Sequence, residues 1–587
     1  MTILSNTLSI SDGGLGVVAP GGLPIAVVGC CSAGTAATPV TCYTIEQVVA
    51  AGGYGPAVED AATILALSGG PIILCRAATV TAAILGGFCQ SGAGSSAAGT
   101  IAADGSNTST AVLALTGTPD QRYSVRIKCT LAQANLAASP KLAISLDGGV
   151  TYLAEYVPVA GPTAIGTTGL SLGITDGTFV LNDFWTATGA ACPTDADATG
   201  TSVPAFSGTP LGSFDIVAVV TAAAASLTVL TAAVKFSLDG GRTYGASVGI
   251  PSSGVYAIPN TGVTVTFGAG SFVVGDTFQV KTAAPAFSTS SLDAALTGLA
   301  AVSGDYEFVH VAGDIDVTHA AILKAWGIAR QTAGEYVFSV AGVRDQAHGE
   351  SLTTWESSIG GASPGFAAYD AGRYIDVHAS HGYVQSAIYS GSYFRRNLSV
   401  LRSARLALIP LQEHPGKVQT GPIAGIFPEG DAASVLQDGA TRTALDGYRF
   451  STAQRLLGQP RDRYFFTSRT MALATSDFGE VQRTRVICRA ATRALTAMSL
   501  YVGSDPEVKT DGTGQLTEGE AAAIEAEVGS YLKRELVDAP NAFATRVSVA
   551  VNRLTDVLAT GTITATISVV PKGSINVVST TITFARS

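Results

Sequence analysis

All six histidines of this 587-residue chain fall between positions 310 and 414, among several aspartates, a clustering that raises the question of a hydrolase. His310, Asp314, Asp316 and His319 stand together in EFVHVAGDIDVTHAA, where a strand runs into a helix, the place at which α/β enzymes keep catalytic groups. Acyl transfer would also need an activated serine, and no GxSxG elbow is present. His378 and His381, in HASH, do not have the spacing of a helical zinc site, which takes HExxH. Asp314 or Asp316 is more simply the cap of a helix starting near Val317, and the histidines read as structural. The expectation is therefore a protein that is not an enzyme, with no catalytic, metal or cofactor residues and no cofactor.

Other candidate chemistry dissolves in the same way. GGLGVVAPGG and GAGSSAAG lack the lysine of a phosphate loop and the strand-Gly-helix setting of a dinucleotide site, so they read as loops. Asp511-Gly512-Thr513-Gly514 lacks the ligand ladder and closing glutamate of a calcium loop and reads as a turn. Eight cysteines have neither a CxxC pair nor the density of a disulfide scaffold. Cys75 and Cys488 lie in the strand-like runs IILCRA and RVICRA, as small buried hydrophobes. Arginines in RSARLALIP, PRDRYFF and QRTRVICRAATR are spaced as solvated or salt-bridged faces, or as a subunit interface. A net charge of -10 offers no basic stripe for nucleic acid.

The elements that would hold these residues divide by charge. Residues 1–290 contain 8 of the 34 lysines and arginines, and the rest of the chain is richer in charge and helical pattern. PIAVVGCCSAG reads as a buried strand, Thr44 caps a short helix, a second helix follows, and GGPIILCRA returns as a strand. An internal duplication comes next. Asp147-Gly148-Gly149 matches Asp239-Gly240-Gly241 at an offset of 92, Gly117-Thr118-Pro119 matches Gly208-Thr209-Pro210, and VLNDFW (180–185) matches VVGDTF (273–278). Glycine turns between alternating apolar runs are hairpin chemistry, which gives two tandem β-sandwich modules. Ile216 to Val234 has the hydropathy of a membrane span, but its counterpart in the other copy carries Arg126 and Lys128. Both copies are read as strand, loop, strand, without membrane insertion. The opening MTILSNTLSISDGG has no basic or long apolar region, so a cytoplasmic start is expected.

From about Ser291 strands and helices alternate as YEFVHVAG, DVTHAAILKAWGIARQ, EYVFSVAG, a polar helix near Glu350 to Ser358, and RYIDVHAS, the texture of a parallel α/β sheet. VQRTRVICRAATRALTAMSLYVG is read as bearing a strand. Thr517 and Glu520 form a capping box for a helix whose face carries Ile524, Val528, Tyr531, Leu532 and Leu536. ATRVSVAVN, TITATISVVP and INVVSTTITFA close the chain as alternating strands.

This arrangement resembles the contractile tail sheath family of phages and related injection systems. The resemblance rests on PIAVVGCCSAG, the helix with GGYG and GGPIILCRAA with Arg76 at one end, and on VICRAATRALTAMSLYV, YLKRELVDAP, VSVAVN and TITATISVVP at the other. It implies a fold of α/β plus all-β type: a mixed α/β core built from both chain ends and a central α/β domain, with the tandem β-sandwich pair inserted. The implied division is 1–22 N-terminal arm and hinge, 23–90 N-terminal part of the core, 91–200 and 201–290 the β modules, 291–450 central α/β domain, 451–572 C-terminal domain and 573–587 C-terminal arm. The partners implied are other copies in stacked six-membered rings, an inner tail tube protein, and baseplate and tail terminator proteins. The implied location is a virion tail assembled in a host bacterial cytoplasm, where the sheath contracts, drives the tube through a host envelope and supports genome ejection.

Arms that add strands to neighbours are expected at Ile3, Leu4, Leu8 and Ile10 and at Ile575, Val577, Val578, Ile582 and Phe584. Contact with the tube is expected at Lys533, Arg534 and Glu535. Two other readings compete, a surface adhesin built on the β modules and an α/β hydrolase centred on His310 and Asp314.

Overall fold

The computed structural model describes residues 24–573 apart from 80, 86–99, 118–124, 147–151, 154, 167, 189–199, 203, 228, 230, 303–305, 347–349, 362–364, 390, 427–441, 461–462 and 539–541. The core begins with β1 (Ile25–Cys30), every residue of which is buried, as a parallel strand covered on both faces requires. β2 (Pro39–Cys42) precedes helix α1 (Ile45–Gly52), where the Thr44 hydroxyl accepts from the Gln47 N–H at 3.3 Å, the cap read from sequence. Helix α2 (Pro56–Ser68) has proline at its first turn and ends on left-handed Gly69, and β3 (Ile72–Ala77) then runs parallel to β1. Arg76 donates to the Gly34 carbonyl at 2.6 Å.

After β4 (Thr81–Leu85) comes the duplicated region. The first copy has β5 (Thr100–Ala103), β6 (Val112–Gly117), β7 (Arg126–Leu131), β8 (Lys141–Ser145), β9 (Thr163–Ala164), β10 (Leu170–Thr175) and β11 (Phe184–Thr188). They form sheets β5-β11-β7-β8 and β6-β10-β9 around one apolar core containing Ile127, Leu172, Phe179 and Trp185. The second has β12 (Pro204–Gly208), β13 (Asp215–Ala222), β14 (Ala233–Ser237), β15 (Val248–Gly249), β16 (Val255–Ile258), β17 (Val263–Phe267) and β18 (Thr277–Ala286). Its sheets are β12-β17-β16 and β15-β14-β13-β18-β4, with Val234, Phe267 and Phe278 between them. Ile216 to Val234 is thus strand, loop, strand, and among the described residues no helix is long and apolar enough to cross a membrane.

Individual hydrogen bonds repeat between the copies. The Thr168 hydroxyl donates to the Ile165 carbonyl at 2.6 Å and Thr261 to Ile258 at 2.8 Å. Asp183 accepts from the Thr108 and Ser109 N–H groups at 2.9 and 2.7 Å, and Asp276 accepts from Gly200 at 3.0 Å. Gly117 and Gly208 have φ of 105° and 110°, and a Cβ on either would stand 2.2 or 2.3 Å from the carbonyl oxygen of Gly169 or Gly262. Of the two SLDGG turns, the second is seen with Gly240 and Gly241 at positive φ; the first lies outside the described residues.

The chain then alternates as its pattern predicts: α3 (Thr289–Ala300), β19 (Phe308–Asp314), α4 (Val317–Thr332), β20 (Phe338–Gly342) and β21 (Ile375–His378), followed by hairpin β22 (His381–Gln385) and β23 (Tyr393–Asn397) and helix α5 (Ser399–Leu408). The sheet order is β2-β3-β1-β19-β20-β21, parallel except for β2. Helices α1, α2 and α5 cover one face, and α3 and α4 cover the other. Segments 25–77 and 308–378 therefore share one sheet.

One sequence reading is corrected here. Val481–Ser499 is a helix, α6, and carries no strand. Val486 and Cys488 look like strand alternation, but Arg485, Arg489 and Arg493 recur every four residues, and this helical period governs. Helix α7 (Glu518–Leu536) is capped by Thr517, which accepts from the Glu520 N–H at 3.2 Å, and buries Ile524, Val528, Leu532 and Leu536. It packs on the antiparallel pair β24 (Ala544–Val551) and β25 (Ala565–Pro571).

Several charges are buried in pairs. Arg402 and Asp376, both fully enclosed, meet at 2.5 Å, while Arg485 of α6 pairs with Glu307 and donates to the Leu406 carbonyl at 2.7 Å. Of the arginines read as faces, Arg402, Arg483, Arg485 and Arg493 are salt-bridged, and Arg402 and Arg485 are inside. Burial, reinforced by Arg402 nearby, holds His378 well below the ordinary imidazole value, and burial also lowers His381 and His414.

Two expectations follow from these contacts. Gly208→Ala should destabilise the second β module by roughly 2 kcal/mol or more, seen as faster amide hydrogen exchange confined to 204–286. The three lowered histidines take up a proton in the fold only below the pH, near ~6.5, at which the unfolded chain protonates them, so their contribution is level above that pH. Below it stability falls by up to ~1.4 kcal/mol per pH unit for each histidine. Glu59 and Asp376, pushed up by burial, titrate in the opposite sense, so calorimetry should compare the native chain with His378→Gln, which is expected to lose one histidine's share of the slope.

Candidate functional site

The histidine region does form a row of serine, histidine and aspartate, but from residues the sequence does not bring together. His310 Nδ1 lies 2.9 Å from Ser403 Oγ, and its Nε2 lies 3.0 Å from Asp60 Oδ2. Asp60 is held on its other oxygen by Arg396 at 2.9 Å. Ser403 and His310 are both fully buried, between the sheet and α5, so no carbonyl can approach the hydroxyl. The row ties α2, β19 and α5 together. The remaining members of the expected set are separate from it: Asp316 caps α4, accepting from the His319 N–H at 2.9 Å and the Thr318 hydroxyl at 2.6 Å, with the His319 ring at 2.7 Å. Partial burial pushes the Asp316 carboxyl up, but these hydrogen bonds outweigh it and hold the group well below the carboxylate range. Asp60 and Ser403 were missed because they are 250 and 93 residues from His310 and carry no local motif.

The surfaces suited to assembly lie elsewhere. The expected arm residues Ile3, Leu4, Leu8, Ile10, Ile575, Val577, Val578, Ile582 and Phe584 lie outside the described residues. What is described is the sheet that ends just before them, at Pro571. β24 and β25 pair with each other and, among the described strands, with no third. Their inward side chains Val547, Val549, Ile567 and Val569 pack on the α7 core yet are only partly buried. On α7, Lys533 and Arg534 are exposed, and Arg534 lies over the Tyr531 ring at 5.4 Å. Glu535 faces Arg493 of α6 at 3.5 Å, which leaves it less available to a partner than the other two. Sequence reasoning also passed over Leu500, Val502, Leu554 and Leu558, all more than two-thirds exposed on the same C-terminal unit. Their signal was an apolar residue in a turn with no place in any periodic face.

The second β module is anchored to the core. Asp239 in its SLDGG turn accepts from the Tyr393 N–H at 3.2 Å, Arg242 sits 3.7 Å above the Tyr383 ring, and the Tyr389 hydroxyl donates to the Asn260 carbonyl at 2.7 Å. Phe214 of the module meets Tyr389 and Phe394 of the hairpin edge-on at 5.5 and 5.6 Å. Among the described residues no group of three or more His, Cys, Asp or Glu side chains is placed to hold a metal ion.

Solved structures similar to this chain include a sheath tail protein from Desulfitobacterium hafniense, at 10% identity and TM-score 0.38, covering 97% of this chain and 100% of that one. A sheath tail protein from Listeria innocua is similar at 10% identity and TM-score 0.38, covering 94% and 95%. A chain of the anti-feeding prophage baseplate is similar at 13% identity and TM-score 0.35, covering 52% and 76%. Among curated proteins none matches. The model of one family, described as DUF2586, N-terminal domain, matches residues 7–461, more than three-quarters of the sequence, and the chain belongs to that family.

Proposed function

We propose that this chain is the sheath subunit of a contractile phage tail or a related injection machine, a structural protein that polymerises around an inner tube and contracts to drive that tube through a host envelope. The observation that carries the reading is the two-stranded C-terminal sheet. A two-stranded sheet is marginal by itself, and this one has no third partner among the described strands and an inner face that α7 covers only in part. A strand donated by another copy would bury that face and extend the sheet. The chain's own ends supply strands of the right pattern, Thr2 to Ile10 and Ile575 to Phe584.

In this reading the sheath domains are those set out from the sequence, and the subunits stack in six-membered rings between a baseplate and a tail terminator. The arms stay paired as hinges while the domains rotate. Lys533 and Arg534 face the tube, together with the exposed leucines of the C-terminal unit. The work comes from many subunits each releasing a modest free energy, so no nucleotide, cofactor or catalytic group is called on. The second β module rides rigidly on the core, and the first is displayed beyond it.

Negative-stain microscopy of the purified protein tests this directly. Tubes or striated cylinders of uniform width are expected. Removing Ile575 to Ser587 is expected to leave soluble monomers, and tubes unchanged by that deletion overturn the arm mechanism. Reversing the charge of Lys533 and Arg534 together should leave polymers of the chain alone intact while abolishing co-sedimentation with a purified tail tube protein.

A further inference from the structure

We propose that a cavity of about 720 Å³ between the α/β core and the second β module binds an extended organic cation, an aliphatic diamine or polyamine by chemical class. Its location follows from the topology. From β1 the chain moves first to β3 on one side and later to β19 on the other, with the intervening helices on opposite faces. Loops at the carboxyl ends of two such strands diverge and leave a crevice, the place where open α/β sheets bind ligands. Here the end of β19, Gly313 to Asp316, and the start of α2 at Gly55 form part of the wall, and segments 211–214 and 284–287 of the second module close over it. The volume lies within the range of small-molecule sites.

The lining sets the sign of the ligand. Five carboxylates, those of Glu59, Asp60, Asp314, Asp316 and Asp345, stand against three guanidinium groups, those of Arg344, Arg395 and Arg396. The guanidiniums are committed as well: Arg344 to Glu350 through bonds of 2.7 and 2.8 Å, Arg395 to Asp345 in a fork, and Arg396 to Asp60 at 2.9 Å and Glu59 at 3.3 Å. One guanidinium is thus divided between two carboxylates. His381, on the same wall, is lowered by burial and adds no positive charge at neutral pH. Even a protonated His319, whose ring is 2.7 Å from Asp316, would leave the carboxylates in excess. An anion would have to enter against that excess and take a guanidinium from its partner.

The excess is most costly at Glu59, which is only 7% exposed. Arg396 and the Ser386 hydroxyl lie nearby, yet neither carboxylate oxygen of Glu59 is met in hydrogen-bonding geometry, and burial pushes its carboxyl up. An ammonium brings the opposite charge and three N–H donors, the two things this carboxylate lacks. A metal ion would need ligands converging on one point, and among the described residues no group of three or more His, Cys, Asp or Glu does so. The carboxylates instead come from α2, the end of β19 and the segment after β20, which suits amines separated by methylene spacers. The remaining wall matches such spacers. Tyr54 and Tyr389 stand 6.2 Å apart, with Tyr389 braced edge-on by Phe214 and Phe394, and aromatic faces attract both an ammonium and the apolar chain beside it. This inference does not depend on whether the chain polymerises.

Titration calorimetry on the full chain tests the assignment, at about 150 mM salt to screen unspecific attraction to an acidic surface. The probes are spermidine, putrescine, butylamine, magnesium and inorganic phosphate. Spermidine or putrescine is expected to saturate a single site with a Kd of about 0.1 mM or tighter, roughly tenfold tighter than butylamine. Glu59→Gln, which keeps the shape of the side chain, should weaken that binding about tenfold. Asp316→Asn, which keeps the α4 cap, is expected to weaken it severalfold with an unchanged melting temperature. Asp511→Asn, in an exposed turn of the C-terminal unit, should leave it as it is. The assignment is overturned if neither amine saturates a single site, if magnesium or phosphate binds more tightly than both, or if butylamine equals them. It is overturned equally if Glu59→Gln and Asp316→Asn bind as the native chain does, or if Asp511→Asn weakens binding as much as they do.

Discussion

The pairing of β1 with β19 is the contact on which the rest of the structure is hung. Ala26 lies against Val309 and Gly29 against Ala312, so two segments nearly three hundred residues apart become adjacent strands at the centre of the sheet. Approach is close enough that a Cβ on Gly29 would meet the Ala312 carbonyl oxygen at 2.6 Å. The long excursion between them costs little more than a short loop, because closure entropy rises only with the logarithm of length. This permits two β modules to be carried between β3 and α3. It also sets where they emerge, since β4 and β18 leave the core side by side and pair with each other. The second module inherits its position from that pairing and is then fixed by Asp239, Arg242 and the Phe214 cluster.

A sheet buried on both faces has no room for a lone charge, and the ions within this core are arranged accordingly. Asp376 on β21 is met by Arg402 of α5, and Glu307 just before β19 by Arg485 of α6. Such pairs recover little net stability from their mutual attraction, because desolvation offsets most of it, but removing one member strands the other at a cost of several kcal/mol. Their effect is one of specification. α5 can lie on the sheet only where Arg402 reaches Asp376, and α6 only where Arg485 reaches Glu307 and the carbonyls at the end of α5. The C-terminal unit is thereby registered to the core through a single helix.

What could be read from the residues was whatever physics acts over a few positions. The caps Thr44, Asp316 and Thr517, the SLDGG turn at Asp239 and the strand, helix, strand order of β19, α4 and β20 each depend on neighbours in sequence, and each was legible. The duplication was legible because glycines needing positive φ leave a spacing that substitution elsewhere does not erase. Val481–Ser499 was misread because its small and polar residues satisfy both periods over short windows, and only the four-residue recurrence of arginine separates them. The His310 row and the crevice at the end of β19 were not legible at all. Their members come from α2, α5, the hairpin and the second module, and nothing short of the fold brings Asp60 to His310 or Tyr54 to Tyr389.

The two halves of the chain thus solve opposite problems with the same material. In the β modules every described edge strand is short and each sheet packs against its mate, which leaves little unpaired backbone for another chain to add to. In the C-terminal unit the two strands are eight and seven residues long, carry Arg546 and a register shift near the start of β24 and Pro571 at the end of β25, and are backed by a helix that leaves their inward side chains only partly buried. Among the described strands no third closes that sheet, so a strand added to it would bury apolar surface that the described fold leaves half-exposed.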